Sequence, residues 1–340
     1  ISLGLVGSEM CIRDSSLTAH ADASHSITPK DMSISGLTAN NRDYDGGTNI
    51  YIDASSVVMS GLVTISGVDD DVNIASGQYG SIADKNVGTG KTVTITSTYT
   101  GNDVGNYSIT DQPSTTVNIT QCPVRLSASK IYDGTTSLGA GTITIDTGVS
   151  SDDLGYSSAT ASSMDVSGNK YVDSITLVDG STGLASNFTT PDLTTYSATK
   201  NSVTITAKPL TITGLSSSDK VFDTTTNATV NGTAVLQSPI SAGSGSDTDG
   251  IPYSGDGIAL SGTATGTFDS ANVGSRSVSF GGLSLTGSGS KADNYSLTAH
   301  ATASQSISER AVFLSATKVY DGDNTPVSYT HLRAHETQRN

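Results

Sequence analysis

Chemistry in this sequence would have to come from aspartate, because few other reactive side chains gather. Asp69-Asp70-Asp71, Asp152-Asp153 and the pair Asp247/Asp249 bring carboxylates close enough along the chain to offer oxygen ligands to Ca²⁺. A calcium loop sets its oxygens at fixed spacing, as in D-x-D-x-D-G-x₅-E, and no cluster here shows that spacing or recurs in the same form. Solvated turns are the expectation for Asp69, Asp70, Asp71, Asp247 and Asp249, with calcium as the alternative; no cofactor is assigned. His20 and His300 hold equivalent places, but His25 becomes Gln305, so no metal set forms. A lysine facing an asparagine could close an isopeptide bond with loss of ammonia. Lys130, Lys220 and Lys318 recur at one place, yet Arg42 stands there in another copy and cannot form that bond. No G-x-S-x-G, H-E-x-x-H, phosphate loop or dinucleotide fingerprint occurs, so no enzyme is expected.

What does recur is one short stretch: Arg42-Asp43-Tyr44-Asp45-Gly46, Lys130-Ile131-Tyr132-Asp133-Gly134, Lys220-Val221-Phe222-Asp223-Thr224 and Lys318-Val319-Tyr320-Asp321-Gly322. The central rings stand 88, 90 and 98 residues apart, the length of a small domain rather than a solenoid coil. A second signature follows in three copies: Asn106-Tyr107, Asn187-Phe188 and Asn294-Tyr295. Both aromatic positions exchange Tyr for Phe, so the ring and not the phenol is expected to matter, as a core anchor. The Asp that follows the first ring can accept the backbone N–H groups of a turn. Because Thr224 replaces the glycine, a type I turn without positive φ is expected there. The base two residues before the ring shares its strand face, so its stem is expected over the ring with the charge in solvent.

These residues must be positioned by strands. Thr, Ser, Val, Ile and Gly dominate, Trp is absent, and no helical period or apolar run of membrane-spanning length is visible. The net charge of −15 argues against nucleic acid and anionic membrane surfaces as partners. Each copy shows alternating strands, an Asp-led turn, and an Asn-Val-Gly corner (Asn86-Val87-Gly88, Asn272-Val273-Gly274), which weakens to Asp165-Val166-Ser167-Gly168 in the second. The expected fold is all-β: tandem immunoglobulin-like β-sandwich repeats of about 85–100 residues in an elongated array.

The repeats are placed at 30–123, 124–208 and 209–310, with 16–29 ending a preceding repeat and 311–325 opening a fourth. Short junctions, three of four marked by Pro, favour semi-rigid linkage. Cys122, the one thiol between the two ends, is read as a small linker residue in the place held by Ala207. Residues 1–15 and 326–340 read as translated sequencing adapter: back-translating Leu5–Ser15 and reading the complementary strand in its third frame yields Val327–Glu336.

The order Leu-Thr…Lys-Val-Tyr-Asp-Gly-Thr-Thr…Asn-Val-Gly…Asn-Tyr…Ile-Thr-Ala-Lys-Pro resembles the YDG repeat of large bacterial adhesins, close to the Ig-like repeats called MBG, over residues 16–325. It departs at Phe222-Asp223-Thr224, near Ser167 and in the Gly/Ser/Asp-rich loop 241–257. The resemblance implies a secreted or outer-membrane-associated surface protein resembling filamentous haemagglutinin, active in cell adhesion. The expected function is a stalk or spacer that projects a distal binding region. Its partners are then neighbouring repeats, with any host-surface or cell–cell ligand engaged outside this segment. In the alternative the repeats themselves bind host glycan or protein, through the loop Ser241 to Gly250.

Overall fold

The computed structural model describes residues 25–76, 78–313, 320 and 322. The adapter-like ends, most of the stretch 16–29 and Asp321 of the fourth motif lie outside the described residues. Every regular element within them is a β-strand or a single 3₁₀ turn, so the chain is all-β. The alternation of apolar and polar residues accounts for this: Lys30–Ser35 buries Met32 and Ile34 and exposes the residues between, and Asn49–Asp53 does the same with Ile50 and Ile52. Full burial of one such side chain contributes roughly 1.5–3 kcal/mol, and a one-residue slip would turn the whole set to water.

Two compact units form. The first holds the described residues up to Ala128 with Leu138–Ala161 and Tyr171–Val203; the second holds Ser129–Ser137, Ser162–Lys170 and the described residues from Thr204 onward. The second sequence repeat therefore contributes to both, since its Tyr-Asp-Gly stretch and its corner belong to the second unit.

In the first unit, Lys30–Ser35 pairs parallel with Tyr107–Thr110 and antiparallel with Val58–Ser60. A six-stranded sheet runs in the order Thr38–Ala39, Asn49–Asp53, Tyr79–Ile82, Gly88–Ile95, Ser114–Thr120, Arg42–Asp43. The buried residues Met32, Ile34, Ile52, Val93 and Val117 come from both sheets, as in a β-sandwich. Within the same unit the second repeat pairs Arg125 to Ala128 with Ile143–Asp146, and Leu154–Ala161 with Val172–Asp179.

In the second unit, Lys208–Ser217 lies between Val230–Leu236 (antiparallel) and Tyr295–Thr298 (parallel). A five-stranded sheet runs Lys220–Val221, Ala303–Ser308, Gly274–Thr286, Ala259–Phe268, Asn227–Ala228. Ile212, Leu215, Phe268, Val278, Phe280 and Ile307 form its core.

One register recurs in all three repeats. The first strand pairs parallel with the Asn-aromatic strand, as Lys30↔Tyr107, Cys122↔Phe188 and Lys208↔Tyr295. This corrects the reading of Cys122: it stands in the place of Lys30 and Lys208, not of Ala207. A short 3₁₀ turn precedes each of these rings and ends on its asparagine, at Val104–Asn106, Ala185–Asn187 and Lys291–Asn294.

Candidate functional site: the joints between repeats

The Tyr-Asp-Gly stretch hangs from the last strand of its own repeat. Tyr44 N donates to Thr120 O at 2.8 Å, Tyr132 N to Thr206 O at 2.8 Å and Phe222 N to Ser308 O at 2.9 Å. The aspartate then organises the turn, because Asp45, Asp133 and Asp223 each accept, on Oδ1, the backbone N–H two residues on. The base closes it. Lys130 Nζ reaches Asp133 Oδ1, Thr135 O and Ser137 O at 2.7, 2.7 and 2.9 Å, and Lys220 repeats the set with Asp223, Thr225 O and Asn227 O. Arg42 does it with Asp45 and Gly47 O. These cations are therefore turn clamps and not stems with their charge in solvent, and no asparagine side chain lies among these partners of Lys130. The hydrogen bond from Lys220, and after it those from Thr225, hold the Asp223 carboxyl down at about 2.

The turn does require positive φ, against the sequence expectation. Gly46, Gly134 and Gly322 have φ of 79°, 75° and 81°, and Thr224 adopts 72° as one of two described non-glycine residues with positive φ. A β-branched residue is strained there. The glycines also serve close approach: a Cβ on Gly46 would meet Val149 Cγ1 at 2.8 Å, and one on Gly134 would meet Ala242 Cβ at 2.7 Å.

Those contacts belong to the following repeat, and the ring goes there too. In the first unit Tyr44 packs edge-on against Phe188 with centroids 5.3 Å apart, and its hydroxyl donates to Asp152 Oδ2 at 2.5 Å. Lys85 Nζ stands 3.3 Å from Asp152 Oδ1. The corner engages as well: Val87 N donates to Asn187 Oδ1 at 3.0 Å, and Asn187 Nδ2 to Asn86 Oδ1 at 2.7 Å. The second unit repeats the plan. Tyr132 packs edge-on against Tyr295 at 5.3 Å, and both hydroxyls donate to Asp256 Oδ2, at 2.9 and 2.6 Å. Val166 N donates to Asn294 Oδ1 at 2.7 Å, Asn294 Nδ2 to Asp165 Oδ1 at 2.7 Å, and Lys291 pairs with Asp165 at 2.8 Å.

Three expectations change as a result. The rings of Tyr44 and Tyr132 are buried as expected, but each also meets the following repeat, and their phenols are used. Asp152 is a buried acceptor, not a solvated turn, and Asp256 is buried in the same role. The corner at Asp165 is not weakened, since Asp165 takes the place of Asn86 and Lys170 Nζ binds Val166 O, Ser167 O and Gly168 O behind it.

The electrostatics follow from burial. Desolvation first, and then the adjacent carboxylate, push the phenols of Tyr44, Tyr132 and Tyr295 above their ordinary value. Burial pushes Asp152 up, but hydrogen bonds from Tyr44, Ser151 and Lys85 outweigh it and hold the carboxyl below the usual range. Lys291 and then Asn294 hold Asp165 down.

The calcium candidates are dispersed among turn and joint contacts. Asp69 accepts from Thr64 Oγ1, Asp70 from the Tyr107 hydroxyl, and Asp71 from Asn73 and Asn102. Asp249 turns inward to Lys208, while Asp247 is exposed. Among the described residues no three His, Cys, Asp or Glu side chains gather as metal ligands. Lys208 is a residue that sequence reasoning missed. It is fully buried, with Nζ on Ser246 O at 2.6 Å, Asp249 Oδ1 at 2.9 Å and the Tyr253 hydroxyl at 3.1 Å, and 4.4 Å from the Tyr253 ring centroid. Its place before Pro209, in a strand of alternating burial, was the available signal. The loop Ser241 to Gly250 is pinned by this lysine, by Thr211 N on Gly250 O, and by Gly243 N on Asp133 O of the motif. An apolar cavity of about 190 Å³ beside Phe280, Leu283, Leu297 and His300 is smaller than the ~300–1,000 Å³ usual for small-molecule sites.

The sequence matches the family described as YDG domain over residues 28–116 and 206–304, more than half of the chain. No curated protein matches it. Among solved structures, the crystal structure of Drosophila N-cadherin EC1-4 matches at 8% identity with a TM-score of 0.17, over 84% of this chain and 76% of that one, too low a score to bear on the fold.

Proposed function

Because the chain belongs to the YDG-domain family, and the residues that define its repeat are taken up in joining one repeat to the next, we propose that it is a spacer segment of a secreted bacterial surface adhesin resembling filamentous haemagglutinin. The observation that carries this reading is the duplicated joint: ring, buried aspartate, asparagine and corner meet in the same way at Tyr44/Asp152/Asn187/Val87 and at Tyr132/Asp256/Asn294/Val166. Residues selected for such a joint transmit position and load. They do not present a concave polar surface to a ligand. The loop Ser241 to Gly250, the favoured element of the alternative in which repeats bind glycan or host protein, lacks an aromatic platform and is tied to Lys208 and Asp133. In this proposal a binding region elsewhere in the protein makes the adhesive contact, and the joints hold it away from the cell.

The test is a glycan array and a cell-adhesion assay on the purified chain. No saturable binding is expected. Saturable binding to a glycan or host protein, abolished by deletion of 241–250, would overturn the spacer reading in favour of the alternative.

A further inference from the structure

The first repeat carries a receiving face that is already assembled. Tyr107 hydroxyl donates to Asp70 Oδ2 at 2.7 Å and accepts from Val63 N at 2.9 Å. Tyr295 makes the same two bonds in the occupied joint, to Asp256 Oδ2 at 2.6 Å and from Tyr253 N at 2.9 Å. The asparagine differs. Asn187 and Asn294 are each 1% exposed and hold a corner N–H, whereas Asn106 is exposed and its side-chain amide has no hydrogen-bond partner among the described residues. Asp70, too, is only half-buried where Asp152 and Asp256 are buried.

We propose that Asp70, Asn106 and Tyr107 form the receiving half of a further joint, whose occupant is the Tyr-Asp-Gly turn and Asn-Val-Gly corner of another YDG repeat. The incoming phenol would share Asp70 with Tyr107, as Tyr132 shares Asp256 with Tyr295. The incoming corner N–H would meet Asn106 Oδ1, and the incoming corner side chain its Nδ2. The inference rests on the joint geometry and not on the spacer reading, so ligand binding by the repeats would leave it standing.

This chain supplies a probe for that face, because the corner of its third repeat is exposed, while Phe222 is half-buried against the core of its own repeat. Val273 of that corner is 42% exposed and Asn272 is exposed. Phe222 lacks the hydroxyl, and Thr224 puts a Cβ where Gly46 and Gly134 make their closest approaches. Phe222→Tyr with Thr224→Gly restores the inserting half, and a second copy then presents it to the first repeat.

Sedimentation equilibrium of the full chain carrying both substitutions is the test, at high salt to screen the repulsion between chains of charge −15. Concentrations up to about 1 mM match the effective concentration of a tethered neighbour. The expected result is a weight-average mass that rises with concentration. Adding Asn106→Leu, at an exposed position that leaves folding intact, returns it to the single-chain mass, while Tyr51→Ser on an exposed strand face leaves association unchanged. A doubly substituted chain that stays monomeric at about 1 mM, or association indifferent to Asn106→Leu, overturns the proposal.

Discussion

The two occupied joints satisfy one buried aspartate by different means. At Asp152 a single phenol, Tyr44, is joined by Lys85, because the second aromatic is Phe188. At Asp256 two phenols, Tyr132 and Tyr295, converge on one oxygen. A buried carboxylate needs donors to offset its lost hydration, and either an ammonium or a second hydroxyl serves. This explains why the second aromatic position tolerates Phe188: the loss of a hydroxyl at that ring is met elsewhere in the same joint.

The two joints should differ most at the acceptor. Asp256→Ala leaves two buried phenol O–H groups without their acceptor and should cost the second unit about 2–4 kcal/mol. Asp152→Ala strips one phenol, while Lys85 can turn to water, and should cost the first unit about 1–2 kcal/mol. Urea unfolding followed by near-ultraviolet circular dichroism measures both, since without Trp the signal is that of tyrosine. Equal losses would mean that the phenols do not set the difference.

Exchanging the aromatics should convert one joint toward the other with a smaller effect. Tyr295→Phe removes a donor to Asp256 and leaves the buried Tyr253 N–H unpaired, a loss of about 1–2 kcal/mol. Phe188→Tyr gives Asp152 a second phenol and should gain no more than about 1 kcal/mol in the same unfolding assay. A neutral Tyr295→Phe would remove the hydroxyl from the account of the second joint.

Acid and alkali should have the smallest effects, and only alkali should separate the joints. Asp152 and Asp165 have carboxyls held below the ordinary 3.8, so their contribution is complete above that pH and is lost as pH falls through their lower folded values. One such group sits in each joint, and acid should weaken both alike. The phenols are raised above 10.0, so their contribution is complete below that pH and is lost as pH rises through the higher folded values. The second joint, with two of them, should fail first in alkali. Spectrophotometric titration of tyrosinate, with the unfolding signal recorded alongside, checks this; ionisation of all three at the ordinary phenol value would count against it.

Much of the architecture was legible without coordinates. Alternation in Met32/Ile34 and Ile50/Ile52 specifies strands with one buried face, a local property of the pleat. The recurring ring–Asp pair and Asn–ring pair marked the repeat, and the Asp of each turn binds the backbone two residues on, a contact within reach of sequence reasoning. What the sequence could not say is where each ring is buried. Alternation reports that a side chain leaves the water, but not whether its own repeat or the next one covers it. Tyr44 meets Asp152 across 108 positions and Tyr132 meets Asp256 across 124, separations at which no local pattern operates. The same limit hid Lys208, whose charge reads as surface until Asp249 and Tyr253 are brought around it. Positive φ at Thr224 was hidden for a related reason: the turn is imposed by the strand that Phe222 N binds and by the Lys220 clamp, which together outweigh the preference of one β-branched residue. Local composition thus determined that the chain is a series of β-sandwich repeats carrying a ring beside an aspartate. Only long-range packing decided that this ring belongs to the joint.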